Sequence, residues 1–148
     1  MQCTLDTLSH PLGREQPAWG RSLELAPGVR WLRMGLPFAL NHINLWLLED
    51  QCAGPDGSMM RGWTIVDCGI ANDVTRAAWE QIFTHELQGR PVLRVIVTHC
   101  HPDHVGLAAW LCERWQVPLM MTVGEYAFAR VMSAGLPGAD GPAMLPHF

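Results

Sequence analysis

From Thr98 to His104 the chain reads Thr-His-Cys-His-Pro-Asp-His, directly after the apolar run Val92 to Val97. Three imidazoles and a carboxylate thus fall within six residues. In an extended segment, residues two apart point to the same side, so His99 and His101 can grip one cation. Pro102 then turns the chain, and Asp103 and His104 project from the first turn of the following helix toward a second cation nearby. Imidazole nitrogen and carboxylate oxygen are the ligands of zinc, and of iron or manganese in related sites. A single histidine near a strand end is usually a surface or capping residue, and two at this spacing mean little. Four donors together at the carboxyl end of a buried strand point to metal. Cys100 lies between two of them but faces the other way on an extended chain, which suits packing.

Other candidates carry less. His42 precedes a strand and is read as a pocket-rim residue or as a histidine satisfied by backbone. His10 and His85 have no partners in sequence, and His85 suits a helix end by its interaction with the helix dipole. Cys68 abuts Asp67 and is a weak candidate near the metals. The tryptophans, Trp110 and Trp115 among them, match helical or core positions. There is no glycine-rich phosphate loop and no Gly-x-Ser-x-Gly elbow.

The elements that would position this cluster are legible in outline. Residues 1–27 are polar and contain Pro11, Pro17 and Pro27, predicting an irregular lead-in. Val29–Met34 and Ile43–Leu48 read as strands, the second with the near-continuous apolar character of a strand covered on both faces. Turn formers between Gln51 and Arg61 link the second strand to a third, Trp63–Asp67, as a hairpin. Val74, Ala78 and Ile82, with Trp79, Phe83 and Leu87 beside them, give a helical stripe, capped by Asn72 or Asp73 and ended by Gly89. Then come a strand (Val92–Thr98), a helix from Asp103 to Trp115, a short strand (Pro118–Met121) and a helix ending near Ser133. Thr122 and Glu125 form the capping box of that last helix. The order β-β-β-α-β-α-β-α predicts one α/β domain with a mixed sheet, spanning residues 28–148.

Composition fits this reading. Of 148 residues, 49% are hydrophobic and 16% charged, which is a globular balance. The formal charge is −4, and the ten basic residues are all arginine and scattered, so no stripe tracks a phosphate backbone and nucleic acid is not the expected partner. Five cysteines without a CxxC pair suit free thiols in a reducing compartment. No secretory signal and no membrane-length apolar stretch is visible, so the expected location is cytoplasmic and no membrane partner is expected.

The signature and its setting resemble the metallo-β-lactamase superfamily. THCHPDH matches that family's T-H-x-H-x-D-H, Val66 to Gly69 is similar to its strand-ending Asp-x-Gly, and Asn41 to Leu48 resembles the second strand of the hydroxyacylglutathione-hydrolase-like branch. The likeness covers roughly residues 28–134. It implies that His99 and His101 bind one metal and Asp103 and His104 the other, with Asp67 steadying the ligand loop from behind. It also implies two zinc ions in a complete site (iron or manganese in some relatives). A metal-held hydroxide would attack an ester-like bond of a small molecule, such as a thioester or lactone, and Asp103 would orient the water or shuttle a proton.

The family fold is an αβ/βα sandwich of two similar halves, and the sequence reads as the N-terminal half. The second half should supply a further histidine, a bridging aspartate and a last histidine. His147 in MLPHF and Asp140 in PGADGP lack the context for those roles. Leu45, Leu47, Ile65, Val95 and Val97 alternate with other apolar residues, so one half alone leaves an apolar sheet face uncovered. The expectation is a fragment of a longer protein, ahead of a natural half-domain that needs its missing half or self-association. With four ligands alone it should bind zinc weakly and show little activity. The alternatives are a nuclease or phosphodiesterase of the same superfamily, a flavin-linked oxidoreductase or dioxygenase relative, and a non-catalytic half-domain retaining a relic of the site.

Overall fold

The computed structural model describes residues 15–134, so His10, Asp140 and His147 lie outside the described residues. Its elements in chain order are β1 (Ser22–Ala26), β2 (Val29–Gly35), β3 (His42–Ala53), β4 (Met59–Val66), α1 (Asp73–His85), β5 (Val92–Ile96), α2 (Pro102–Val105), α3 (Ala108–Trp115), β6 (Leu119–Met120) and α4 (Val123–Ser133). The six strands form one mixed sheet in sequence order: β1 to β4 run antiparallel, and β5 and β6 add in parallel.

Helices cover one face. Leu32, Leu45, Leu47, Ile65 and Val95 are completely buried there, against Trp79 and Ile82 of α1 and Leu111 of α3. Beside them, Phe83 stacks between Trp79 and Trp110, with centroids 5.7 and 6.1 Å away, and meets Trp115 edge-on at 5.2 Å. The opposite face carries Trp31, Trp46, Val66 and Ile96, register partners across β2 to β5 that are only partly buried. This is an α/β layer with its helices on one side. No helix among the described residues is long and apolar enough to cross a membrane.

Two departures from the sequence reading have local causes. Residues 22–26 of the expected irregular lead-in form β1, because Pro27 and Gly28 make a tight turn rather than ending structure. Gly28 sits at φ +75°, where glycine meets no Cβ penalty, and β1 folds back onto β2. The single helix expected from Asp103 to Trp115 is two, α2 and α3, broken at Gly106 and Leu107. There Leu107 N–H leaves the helical ladder and donates to the Gly69 carbonyl at 3.3 Å. The close seat of Gly106 explains the break: a Cβ there would stand 2.7 Å from Ala71 N and 2.8 Å from Gly69 O.

The parallel pairing of β4 and β5 matters most for the site. It brings the carboxyl ends of both strands to the same edge of the sheet, side by side, so that the turn after β4 and the loop after β5 share one space.

Candidate metal centre

Asp67 follows β4 directly and adopts φ 62°, a left-handed conformation that aspartate tolerates better than most residues. The turn sends its carboxylate across to the end of β5. Oδ1 accepts the Thr98 backbone N–H at 2.8 Å, and the Thr98 hydroxyl lies 3.0 Å from Oδ1 and 2.9 Å from Oδ2. His104 Nδ1 stands 2.8 Å from Oδ2. Asp67 is 4% exposed. Burial pushes its carboxyl up, but the bonds from His104 and then Thr98 outweigh burial and hold it below its usual range. An ionised carboxylate at this distance favours a proton on His104 Nδ1, the tautomer in which Nε2 is the ligand atom. Backbone ties reinforce this, since Cys68 N–H donates to the His104 carbonyl at 2.7 Å.

Thr98 also sets the state of His99. Its hydroxyl oxygen is 3.0 Å from His99 Nδ1. A hydroxyl that gives its one proton to Asp67 accepts from His99 Nδ1, which favours the tautomer with Nε2 as the ligand atom. The His99 ring centroid lies 4.5 Å from that of His101 and 3.9 Å from that of His104. Asp103 Oδ2 lies 3.7 Å from His104 Nε2. Burial, then the neighbouring His104 and His101, hold the His99 imidazole below its ordinary pKa, which favours the neutral ligand form. The structure therefore gathers the rings of His99, His101 and His104, with the Asp103 carboxylate near the last. Among the described residues, no three His, Cys, Asp or Glu side chains converge closely enough to enclose an ion.

The lesser candidates stand apart. His42, at the start of β3, bonds its neighbour Asn41 at 2.7 Å through Nδ1. Cys68 is completely buried in the core, and burial, then the Asp67 charge, push its thiol well above the ordinary value. Cys100 sits against Glu125; burial, then the Glu125 carboxylate, push its thiol up to about 11.

Two contributors escaped the sequence reading, Thr98 and Glu125. Thr98 was visible only as the residue before the first histidine. Glu125 was assigned to the capping box, and Thr122 does cap α4 by accepting its N–H at 3.4 Å. The carboxylate itself reaches elsewhere, and its Oε2 accepts the Cys100 N–H at 2.7 Å. A contact across 25 residues leaves no trace in local spacing.

Comparison with known proteins identifies the fold family. A sequence model described as the metallo-β-lactamase superfamily matches residues 60–131. A β-lactamase domain protein from Burkholderia ambifaria is 60% identical, with a TM-score of 0.79, over 84% of this chain. The chain belongs to the metallo-β-lactamase superfamily. A metallo-β-lactamase family protein from Thermus thermophilus is 25% identical over 78% of the chain, with a TM-score of 0.58. A metallo-β-lactamase from Pontibacter korlensis, at 19% identity and a TM-score of 0.56 over 80% of the chain, shares the fold. The chain spans 39%, 35% and 50% of these three proteins, so it corresponds to half or less of each. No curated protein sequence matches it significantly.

Members of this superfamily usually bind metal ions, often zinc. The donor chemistry here suits such an ion: three imidazoles lie together, His101 and His104 with ring centroids 4.5 and 3.9 Å from that of His99. The number of converging donors falls short of the three or four that a closed zinc site uses. As a metallo-β-lactamase-superfamily site it is a partial ligand set.

Proposed function

We propose that this metallo-β-lactamase-superfamily chain serves metal-assisted hydrolysis of an ester-like bond, a thioester or lactone, in a small molecule. His99 and His101 would hold one zinc ion and Asp103 and His104 a second, with iron or manganese as the alternatives. When bound, the metal would supply a water acidified to a pKa of about 7 and a Lewis acid for the scissile carbonyl. The observation that carries this reading is the Asp67–Thr98 pair. Asp67 bonds His104 at Nδ1 and Thr98 lies against His99 at Nδ1, an arrangement that favours the tautomers in which Nε2 is the ligand atom.

The residues of the chain have separable tasks in this reading. Asp67 holds His104 and Thr98 in register. Thr98 relays that constraint to His99. Asp103, the proposed catalytic residue, lies close enough to His104 Nε2 to share its space, where a carboxylate can orient water or carry a proton. The scattered arginines and net charge of −4 favour a small substrate over a nucleic-acid backbone, against the nuclease alternative.

The test measures zinc and cobalt uptake together with hydrolysis of thioester, lactone and phosphodiester substrates. Native protein, with its partial ligand set, should take up metal weakly and cleave the carbonyl substrates slowly. His104→Ala and His99→Ala remove a ligand outright and should lower metal uptake and hydrolysis further, by at least the roughly tenfold typical of losing an orienting partner. Phosphodiester cleavage alone would replace the ester reading with the nuclease one. Full activity in His99→Ala would mean that the site is a relic.

A further inference from the structure

Resting on the proposed metal site, we infer that Glu125 is a positioning residue for the ligand loop. It is a side chain of α4 that holds the peptide between His99 and His101. The Cys100 N–H lies between these two histidines, and Glu125 Oε2 accepts it at 2.7 Å. Topology makes the reach possible. Strand β6 pairs in parallel with β5, so the chain leaving β6 emerges at the sheet edge where the ligand loop leaves β5. Glu125, in the first turn of α4, stands over that loop.

The bond acts on geometry at a bend, since the chain turns at Thr98, His99 and Cys100 after leaving β5. Anchoring the Cys100 N–H to α4 fixes the peptide plane that joins His99 to Cys100, and with it the path of the bend that carries both histidines. At this bend the rings of His99 and His101 lie 4.5 Å apart. Asp67 and Thr98 constrain His99 and His104 from the β4 side. His101 receives no bond from that pair, so Glu125 supplies the constraint from the opposite flank. A charged acceptor makes a short, strong bond to a backbone N–H, and groups that orient ligands in this way typically carry tenfold to hundredfold in metal affinity.

The experiment compares Glu125→Ala, Glu125→Gln and Thr122→Ala by zinc competition against a chromophoric chelator. In parallel, hydrogen exchange of the Cys100 amide is followed in metal-free protein. Glu125→Ala should weaken zinc binding about tenfold or more and speed exchange at Cys100. Glu125→Gln, whose amide oxygen can accept the same bond, should retain most of the affinity. Thr122→Ala removes the cap of the same helix without touching the loop, and should lower the melting temperature while leaving zinc affinity unchanged. Native affinity and native Cys100 exchange in Glu125→Ala would overturn the assignment, as would equal loss of affinity in Thr122→Ala. A native protein that takes up no zinc would instead sink the metal reading on which this one rests.

Discussion

Asp67 combines two demands that a substitution series can separate. Its backbone must accept φ 62°, and its carboxylate must serve Thr98 and His104 at once. Asparagine tolerates the left-handed region but cannot hold a negative charge, whereas alanine fails on both counts and loses roughly 1–2 kcal/mol for the backbone alone. Asp67→Ala should therefore melt at a lower temperature than Asp67→Asn. Both should bind zinc less tightly than native protein, by about tenfold or more, the usual effect of a lost orienting partner. Thermal melts and metal competition on the two variants check this. The four signature residues were legible in the sequence because their types and spacing are local. The roles of Thr98 and Glu125 were not, since they depend on which strands become neighbours.

At the level of elements, the caps and the helix break carry testable weight. Asn72, one of the two caps that the sequence offered, accepts the Thr75 N–H at 2.8 Å and starts α1. Asn72→Ala should cost about 1 kcal/mol, read as a lower denaturant midpoint, without affecting metal uptake. Gly106 is a sharper case. A methyl group there meets backbone atoms of Gly69 and Ala71, which cannot rotate away, so Gly106→Ala should destabilise by about 1–3 kcal/mol. Because those atoms belong to the turn that presents Asp67, zinc affinity should fall with it. Hydrophobic periodicity located α1, β3, β4 and β5, since each buries a regular stripe. It missed β1, a short edge strand whose residues are half-exposed, and it merged α2 with α3, because the break is imposed by contact with a turn far away in the chain.

For the molecule as a whole, the helix-free face of the sheet is pinned by charge as well as by apolar contact. Asp50 on β3 accepts the Thr64 hydroxyl of β4 at 2.6 Å and its own neighbour's Gln51 N–H at 2.7 Å, and pairs with Arg94 of β5 at 2.7 Å. The Thr64 bond foremost, with help from Gln51 and Arg94, holds the Asp50 carboxyl below its ordinary value of 3.8 despite partial burial. A carboxyl whose pKa is lower folded than unfolded adds stability that is complete above the unfolded value and fades as pH falls through the folded one. The melting-temperature difference between native protein and Asp50→Asn should thus be largest near neutrality and shrink below about pH 4. A difference that stays constant from neutral to strongly acidic pH would show that the three-strand link carries no charge-dependent stability.

The strand order β1 to β6 repeats the order of the chain, and this governs how the protein is built. Each new strand finds its partner already in place, so no early segment has to wait for a distant one. Loops closed between nearest neighbours lose little entropy. During synthesis, the sheet can grow one strand at a time from the ribosome, with the histidine loop emerging onto an edge that β4 has already prepared.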